Sequence, residues 1–449
     1  MKKLRSKKQI LLYSMAGLGV NMLNVIVGTY LCDALMVEGF STNVENWTYA
    51  NKTLVVAGVW SIMIFLAKVL DGVIDIPFAG WTDNLKTKWG KRRPAILIGL
   101  VPMVICYILF LFPLQNEVTW LNTIYLGLVL CGFYTFYTLT MVTYYATFSE
   151  IVDNDKDRVL LSNFKSVFDV VYFVLGYALI PLMIGSTNIR IIAFIFLPLV
   201  CTMLIALFMI KEKSTRLEDV EEAEDDEEKE ETVGVFESVK YAFKNKDFLK
   251  WMGIYFCMQF GVQMFLSGQN VYCSGVALFE GWQITVLNAL SFAPVPLTLI
   301  LYNKIINKYG FKVAFRYSLG MFSIGMIIFT FINSVIIPND TLRFVVGCFA
   351  ALVCSFSIGS FFSIGYVVPS GIAVREREQT GISHPAMYFA VQGLVGGVST
   401  GISTGLIWVT LKNTGNTWMM GIVVALACVL SLLFTKFLPE SLNNVGKVE

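Results

Sequence analysis

The stretch LDGVIDIPFAGWTDNLKTKWGKRRP, residues 70–94, joins a strongly apolar segment to a cluster of cations. Asp71 and Asp75 lie four residues apart among isoleucine, valine and phenylalanine, so on a helix they project from one face, one turn apart. From Gly80 onward the stretch is too hydrophilic to remain in lipid, and it carries five Lys and Arg residues. It therefore predicts the end of a membrane span that holds two acids in its interior.

The composition of the whole chain is that of a polytopic membrane protein. Of its 449 residues, 56% are hydrophobic and only 15% are charged, whereas soluble proteins carry about 25% charged residues. Apolar runs of about 20 residues, long enough to cross a hydrocarbon core, recur along the chain. We predict twelve membrane spans, at residues 9–37, 53–80, 94–113, 119–148, 164–186, 189–210, 248–274, 283–302, 313–336, 342–370, 386–411 and 417–438.

Loop cations predict the orientation, because Lys and Arg are retained on the cytoplasmic side. Cations concentrate before span one and between spans two and three, as in MKKLRSKK at residues 1–8. The alternating loops hold only Lys52, Arg190, Arg343 and Lys412. We therefore expect a multi-pass protein of the plasma (inner) membrane with both termini in the cytoplasm.

A run of like charge divides the predicted spans into two groups of six. Eleven of the 32 acids lie between Glu218 and Glu231, and their mutual repulsion predicts a disordered linker. The segment VFESVKYAFKNK that follows has an apolar face and predicts a short amphipathic helix, either in the membrane interface or as a plain connector. The predicted division is 1–210, a six-helix bundle; 211–247, the acidic linker; 248–438, a second six-helix bundle; and 439–449, a cytoplasmic tail.

A weak internal repeat favours a duplicated architecture. KWGKRRPAILIG at 88–99 follows span two, and KYGFKVAFRYSLG at 308–320 follows span eight, its counterpart. Parallel halves of six spans are the plan of major facilitator transporters, whose substrate site lies between the halves near the membrane midplane. The predicted fold class is an all-α membrane protein with two pseudo-symmetric six-helix bundles.

The two aspartates of span two predict a cation site. A carboxylate within a span is costly unless it faces a cavity, a cation or a partner group. Two of them on one face repel each other, and a bound Na⁺ or a shared proton relieves that repulsion. The alternative is a structural ion pair with a lysine such as Lys68 or Lys165.

The cations after span two have a second candidate role in gating. Asp83 stands at a helix end near three cations, and the set could latch the two halves together and break as they rock. The alternative is a pure topology signal, which would need the cations but not the acid. The candidate gating residues are Asp83, Lys91, Arg92 and Arg93.

The stretch at 71–99 resembles the second-span signature of the glycoside–pentoside–hexuronide:cation symporters, the melibiose-permease branch of the major facilitator superfamily. The resemblance extends to YTLTMVTYYATFSEIVDNDKDRVLLSNFKSVFDVVYFVLG at 137–176, REREQTG at 375–381 and MYFAVQGLVGG at 387–397. It implies a cation site at Asp71, Asp75 and Thr138. It also implies sugar contacts at Asn21, Tyr137, Tyr145, Lys165 and Gln392.

Four positions depart from the family pattern. Asn21 and Met141 stand where melibiose permease has sugar-binding acids, so melibiose itself is not the expected substrate. Ile74 stands where the sodium-using permease has an asparagine ligand, and this raises protons as the coupling ion. Gly397 replaces a lysine. The cationic Lys165 would suit a uronate, although Asp169 one turn later is expected to pair with it.

Three further polar residues within spans are candidates for substrate contact. Asn24 lies one turn beyond Asn21, and Gln259 and Gln263 share a face of span seven. For the glutamines, bonding to sugar and bonding to another helix stay open alternatives.

The predicted function is cation-coupled symport of a sugar, glycoside or uronate by alternating access. Alternatives are a lipid or lysolipid transporter of the same superfamily and a transport-inactive sensor that uses the acidic linker. The sequence has no phosphate-binding loop and no nucleophile–base pattern, which argues against an enzyme. We expect no cofactor beyond Na⁺ or H⁺ as coupling ion, no nucleic-acid partner, contact with membrane lipids, and a monomer.

Overall fold

The chain folds as twelve long helices with no strand among the residues described. The computed structural model describes residues 3–4, 6–83, 85–152, 155–215, 243–380 and 385–438. The helices are α1 (Lys7–Ala34), α2 (Ala57–Asp83), α3 (Arg92–Phe110), α4 (Trp120–Ala146), α5 (155–184), α6 (Ile189–Met209), α7 (Lys246–Gly275), α8 (Gly281–Tyr309), α9 (Phe311–Phe331), α10 (Asp340–Thr380), α11 (385–413) and α12 (Thr417–Phe437). This confirms the predicted all-α fold class.

Eleven of these helices contain stretches long and apolar enough to cross a membrane, counted over the described residues. The remaining one is α7, which at 30 residues is long enough but more polar. Gln259 and Gln263 on α7 line the central cavity described below, while Gln269 and Asn270 are buried between helices. The polarity of α7 follows from its position inside the bundle, where polar side chains find partners or a cavity.

Helices α5 and α10 extend about ten residues beyond the predicted spans. Helix α5 begins at Asp155 and not near residue 164, and α10 continues to Thr380 and not to residue 370. Both extensions are rich in charged residues that form helices well, such as REREQ at 375–379. Hydropathy therefore located the apolar part of each helix but not its end. Helix α8 has a turn at residues 293–294, ahead of the helical segment that begins at Val295.

The helices pack mainly within two groups, α1–α6 and α7–α12, and the groups meet along two seams. In one seam α2 lies on α11, where a Cβ placed on Gly72 would be 2.7 Å from the carbonyl oxygen of Gly393. In the other, α8 lies on α5, and Asn288 Nδ2 donates to the carbonyl oxygen of Tyr177 at 2.5 Å. Glycine at such a contact lets two backbones approach closely, as membrane helices often require.

A buried ion pair joins the two groups at the end of the bundle opposite the chain termini. The Lys412 ammonium, fully buried on α11, donates to Asp33 Oδ1 on α1 at 3.1 Å. Trp408 Nε1 donates to the same carboxylate at 3.2 Å. At the same end Thr42 and Ser274 share a hydroxyl–hydroxyl hydrogen bond of 2.9 Å. The sequence placed Lys412 in a loop, but helix α11 runs to Asn413 and encloses it.

Three helices contain π-helical segments close to these seams: 26–31 in α1, 175–179 in α5 and 401–408 in α11. Such segments widen the helix by one residue and occur frequently at functional sites. The acidic run 218–231, most of the predicted amphipathic helix and the tail 439–449 lie outside the described residues.

Candidate functional site

A cavity of about 410 Å³ lies between the two groups of helices. Its described lining is polar except for Met141, Val142 and four glycines. The polar lining residues are Asn24, Lys68, Asp71, Asp75, Tyr137, Thr138, Tyr145, Tyr255, Gln259, Gln263 and Thr400. A polar space this large can hold one small hydrophilic molecule with many hydrogen-bonding groups.

Asp71 is held by a hydroxyl from the facing helix. Thr138 Oγ1, on α4, donates a short hydrogen bond to Asp71 Oδ1. The two residues meet because α2 and α4 pack against each other along much of their length. The contact places a threonine hydroxyl beside a carboxylate oxygen, at the position where the family resemblance implies a cation ligand.

Asp75, one turn further along α2, lines the same cavity but differs in its partners. Among the described contacts it has neither a hydrogen bond nor an ion pair. Its Oδ2 lies beside Gly393 of α11, where a Cβ would be 3.4 Å away. A carboxylate in this position requires a mobile cation, a proton or a polar ligand to offset the cost of its burial.

Lys68 is one of three polar lining residues that sequence reasoning missed; the others are Tyr255 and Thr400. It lies on α2 three residues before Asp71, and the two charges interact electrostatically. Its ammonium sits over the ring of Tyr134, 3.8 Å from the centroid, and makes no ion pair with Asp71 or Asp75 among the described contacts. The i, i+3 spacing between Lys68 and Asp71 was the sequence signal that could have placed Lys68 on the same helix face as the acids. In the sequence analysis, Lys68 entered only as a structural partner for the acids.

Five of the eight predicted substrate residues line the cavity. They are Asn24, Tyr137, Tyr145, Gln259 and Gln263. Asn21 lies behind them, buried, with its Oδ1 accepting a hydrogen bond of 3.0 Å from the Tyr137 hydroxyl. Asn21 thus orients Tyr137, which lines the cavity. An uncharged amide oxygen is sufficient for this hydrogen bond.

The remaining two, Lys165 and Gln392, are not among the described residues that line the central cavity. Lys165 forms the predicted ion pair with Asp169 and stands 5.1 Å from the Tyr145 ring centroid. Gln392 accepts a hydrogen bond of 2.7 Å from Trp251 Nε1 and donates one of 2.7 Å to the carbonyl oxygen of Gly365. The Lys165 ammonium and the Gln392 amide both bond to other groups of the protein. Their geometry therefore does not show direct contact with a sugar.

The departures from the family pattern have physical consequences. Met141 lines the cavity and makes part of its wall apolar. A Cβ on Gly397 would stand 2.7 Å from the carbonyl oxygen of Lys68, so a lysine at this position has no room. The backbone of α2 occupies the space that a longer side chain on α11 would need.

The predicted gating cluster makes strong contacts within the first group of helices. Arg92 is buried, and its Nη2 donates to Glu150 Oε1 at 2.7 Å. The backbone N–H groups of Arg92 and Arg93 donate to Glu212 Oε2, at 2.8 and 3.4 Å. Lys91 is half-buried, and the side chain of Asp83 lies outside the described set. The latch between the two groups stays a prediction.

Comparison with known proteins places the chain in a family. A family model described as MFS/sugar transport protein matches residues 12–438. The chain belongs to the MFS/sugar transport protein family. This match confirms the resemblance to sugar:cation symporters, and together with the apolar helices it makes the chain an integral membrane protein.

Two curated relatives match part of the chain. Lactose permease of Lactobacillus helveticus is 28% identical over 189 residues, and a glucuronide carrier protein homolog of Escherichia coli (strain K12) is 28% identical over 132 residues. These matches cover 40% and 28% of this chain. They span only 29% and 28% of the lengths of those relatives.

Solved structures of other transporters share the fold. The nucleoside transporter NupG has a TM-score of 0.67 at 14% identity, covering 96% of this chain and 98% of NupG. A D-xylose-proton symporter has a TM-score of 0.62 at 14% identity, with the same coverage of the two chains. At this identity the likeness concerns the fold alone.

Proposed function

We propose that this MFS sugar transporter is a secondary active symporter that moves a sugar, glycoside or uronate together with Na⁺ or H⁺ by alternating access. The observation that carries the proposal is the placement of Asp71 and Asp75 on one polar cavity between the two groups of helices. Net negative charge at such a depth attracts a travelling cation. The proposed location is the plasma (inner) membrane, with both termini in the cytoplasm.

The cation would bind at Asp71, Asp75 and Thr138. Oxygen atoms of these three side chains are the hard ligands that Na⁺ prefers, and a proton on Asp75 would neutralise the same site. Cation binding reduces the repulsion between the carboxylates and makes the cavity ready for a neutral or anionic sugar. Such coupling is reciprocal, so each ligand tightens the binding of the other by the same factor.

The lining of the cavity supports a sugar over a lipid as cargo. Amide, hydroxyl and carboxylate groups match the hydroxyls of a carbohydrate, and Tyr137 and Tyr145 offer rings for an apolar sugar face. A lipid-sized apolar surface is not what these described residues provide. The names of the curated relatives, a lactose permease and a glucuronide carrier homolog, agree with this class.

The same proposed orientation indicates which end of the bundle is closed. With both termini in the cytoplasm, the Asp33–Lys412 ion pair and the Thr42–Ser274 bond lie at the outer face. In that orientation, these contacts would close the outer end of the bundle in this conformation.

The deciding test is uptake into proteoliposomes, with an imposed Na⁺ or pH gradient, of sugars first selected by a thermal-shift screen. Asp75→Asn keeps the shape of the side chain and removes its charge. We expect it to reduce gradient-driven accumulation at least tenfold while exchange of sugar without a gradient continues.

Asp247→Asn is the matched control, because Asp247 is a partly exposed acid at the start of α7, away from the cavity, that pairs with Lys250. It should accumulate sugar like the parent protein. Gradient-driven accumulation that survives in Asp75→Asn would contradict the proposed role of Asp75.

A further inference from the structure

A second cavity, of about 270 Å³, lies between α5, α8 and α10 and is separate from the central one. Its surface is largely apolar and includes Phe173, Phe292, Val295, Leu299 and Ile358. Its polar edge is the Lys165–Asp169 ion pair. The combination of an apolar chamber and a charged rim differs from the polar lining of the central cavity.

Aromatic rings form one wall of this chamber. Phe173 stacks on Tyr172, with centroids 4.8 Å apart, and on Phe292, with centroids 5.7 Å apart. Phe173 belongs to the first group of helices and Phe292 to the second, so the wall is completed only where the two groups meet. Flat rings arranged in this way leave room for another flat apolar group to pack beside them.

The chamber adjoins the central cavity. A space of about 150 Å³ lies between them and shares Asn24 and Gln263 with the central cavity, and Tyr172 and Phe173 with the apolar chamber. At a second point Lys165, on the rim of the chamber, contacts the ring of Tyr145, which lines the central cavity. One elongated molecule with a hydrophilic and an apolar end can therefore contact both.

We propose that the chamber is a subsite for the apolar aglycone of a glycoside whose sugar occupies the central cavity. This inference rests on the proposed function and narrows its substrate class to glycosides with an aromatic or short alkyl group. Burial of an aromatic ring in the chamber adds binding free energy in proportion to the apolar area removed from water. The rim of charged and hydroxyl groups lies where the glycosidic oxygen would stay hydrated.

Both groups of helices line the chamber, which favours a transported group over a static lipid. As the groups rock against each other, the chamber must change shape, and an occupant gripped from both sides is released with the sugar. A lipid held from the bilayer would have no reason to depend on the sugar cavity.

The experiment compares pairs of glycosides that differ only in the aglycone. The probes are methyl and 4-nitrophenyl β-galactoside, and methyl and 4-nitrophenyl β-glucuronide, used as inhibitors of uptake in proteoliposomes. We expect the nitrophenyl member of the recognised pair to inhibit at a concentration about tenfold lower, which corresponds to about 1.4 kcal/mol.

Val295→Phe fills the chamber. It should bring the ratio of the inhibitory concentrations of the methyl and nitrophenyl glycosides close to one. Ile358→Phe fills it from α10 and should do the same if Val295→Phe fails to fold. Leu297→Phe is the matched control, because Leu297 lies two residues away on the same helix with 72% of its surface exposed. It should keep the tenfold ratio.

The outcomes separate the two proposals. If the parent protein recognises a methyl glycoside but binds the nitrophenyl glycoside no more tightly, the aglycone subsite is wrong and the proposed function still stands. A tenfold ratio that persists in both filled variants also overturns it. Greater thermal stabilisation of the detergent-solubilised protein by lysophosphatidylcholine than by any glycoside would replace the aglycone by a lipid, and failure of every sugar and glycoside would overturn the proposed function.

Discussion

Three charged side chains on one face of α2 have three different surroundings. Asp71 accepts a hydrogen bond from Thr138, Asp75 has no partner among the described contacts, and Lys68 rests on the Tyr134 ring. A charge with a weak partner responds most to an arriving ion, since there is no existing bond to break. The cation site is therefore expected to be asymmetric, with Asp71 positioned in advance and Asp75 completing the site.

Thr138→Val tests this asymmetry at the scale of one hydroxyl. A hydrogen bond to a charged group contributes about 1.5–3 kcal/mol. Its loss should raise the cation concentration needed for half-maximal uptake about tenfold, because Asp71 is no longer oriented. The measurement is initial sugar uptake across a series of Na⁺ concentrations or pH values.

Thr143→Val provides the comparison on the same helix. Thr143 is buried, and its hydroxyl donates only to the backbone carbonyl of Leu139 at 2.7 Å. Its cation dependence should match that of the parent protein. If both variants raise the cation concentration for half-maximal uptake equally, the cause is the packing of α4 and not the loss of the Asp71 contact.

At the scale of the helix, the close approach of α2 and α11 sets the shape of the site. Glycines at 72, 393 and 397 allow the two backbones to touch beside the carboxylates. A long side chain on α11 would separate the helices and widen the cavity. The seam thus places Asp71 and Asp75 close to the second group of helices, against which they would move in the proposed transport cycle.

Gly397→Ala should disturb this seam, because its Cβ would stand 2.7 Å from a backbone oxygen and 3.1 Å from the Cα of Gly72. Overpacking of this kind costs about 1–3 kcal/mol. We expect a lower melting temperature and slower uptake. The measurements are thermal unfolding in detergent and initial rate of uptake.

Gly320→Ala on α9 is the matched substitution, since nothing lies within 4 Å of a Cβ placed there. Alanine favours a helix over glycine by up to about 1 kcal/mol. This variant should melt at the same or a higher temperature. A drop as large as that of Gly397→Ala would show that glycine loss in general, and not the seam, is responsible.

On the scale of the whole molecule, contacts at one end hold the two groups together. The Asp33–Lys412 pair is buried, joined by Trp408, and backed by the ring of Phe40 4.9 Å from the ammonium. Removal of one member of such a pair costs about 3–5 kcal/mol, because the other charge stays buried without compensation. The cost falls on the closed state, so the other conformation gains population.

Asp33→Asn should therefore increase labelling of a cysteine introduced at Thr42, whose hydroxyl contacts Ser274 where the two groups of helices meet. The double variant Asp33→Asn with Lys412→Met removes both charges and should restore much of the closure. Labelling rates of the two single variants and the double form a thermodynamic cycle. Additive effects would mean that the pair does not hold the two groups together.

The fold was largely predictable because its signals are local. Apolar runs located the helices, and the four-residue spacing of Asp71 and Asp75 placed both on one face, where they line one cavity. The ends of α5 and α10 were less predictable, since charged helical turns continue beyond the apolar part. Site residues on a single helix, such as Gln259 and Gln263, could be grouped by spacing alone.

Roles that depend on a facing helix required the tertiary structure. Lys165 and Gln392 carry suitable polar groups, yet Asp169, Trp251 and the backbone of residue 365 engage them. The sequence suggests Lys68 only as a structural partner for the acids, yet it lines the central cavity. The rotation of each helix about its axis decides which side chains reach the central cavity. That rotation is set by packing against helices that are distant in the sequence.

Hydropathy and helical periodicity act over a few residues, so the amino-acid sequence is enough to predict that this protein crosses the membrane many times and carries two acids within its second helix. The contact of Asp33 with Lys412, 379 residues away, and the position of an apolar chamber beside a polar cavity depend on how the helices pack. Such encounters arise from the fit between surfaces of separate helices, and no short stretch of sequence contains both surfaces.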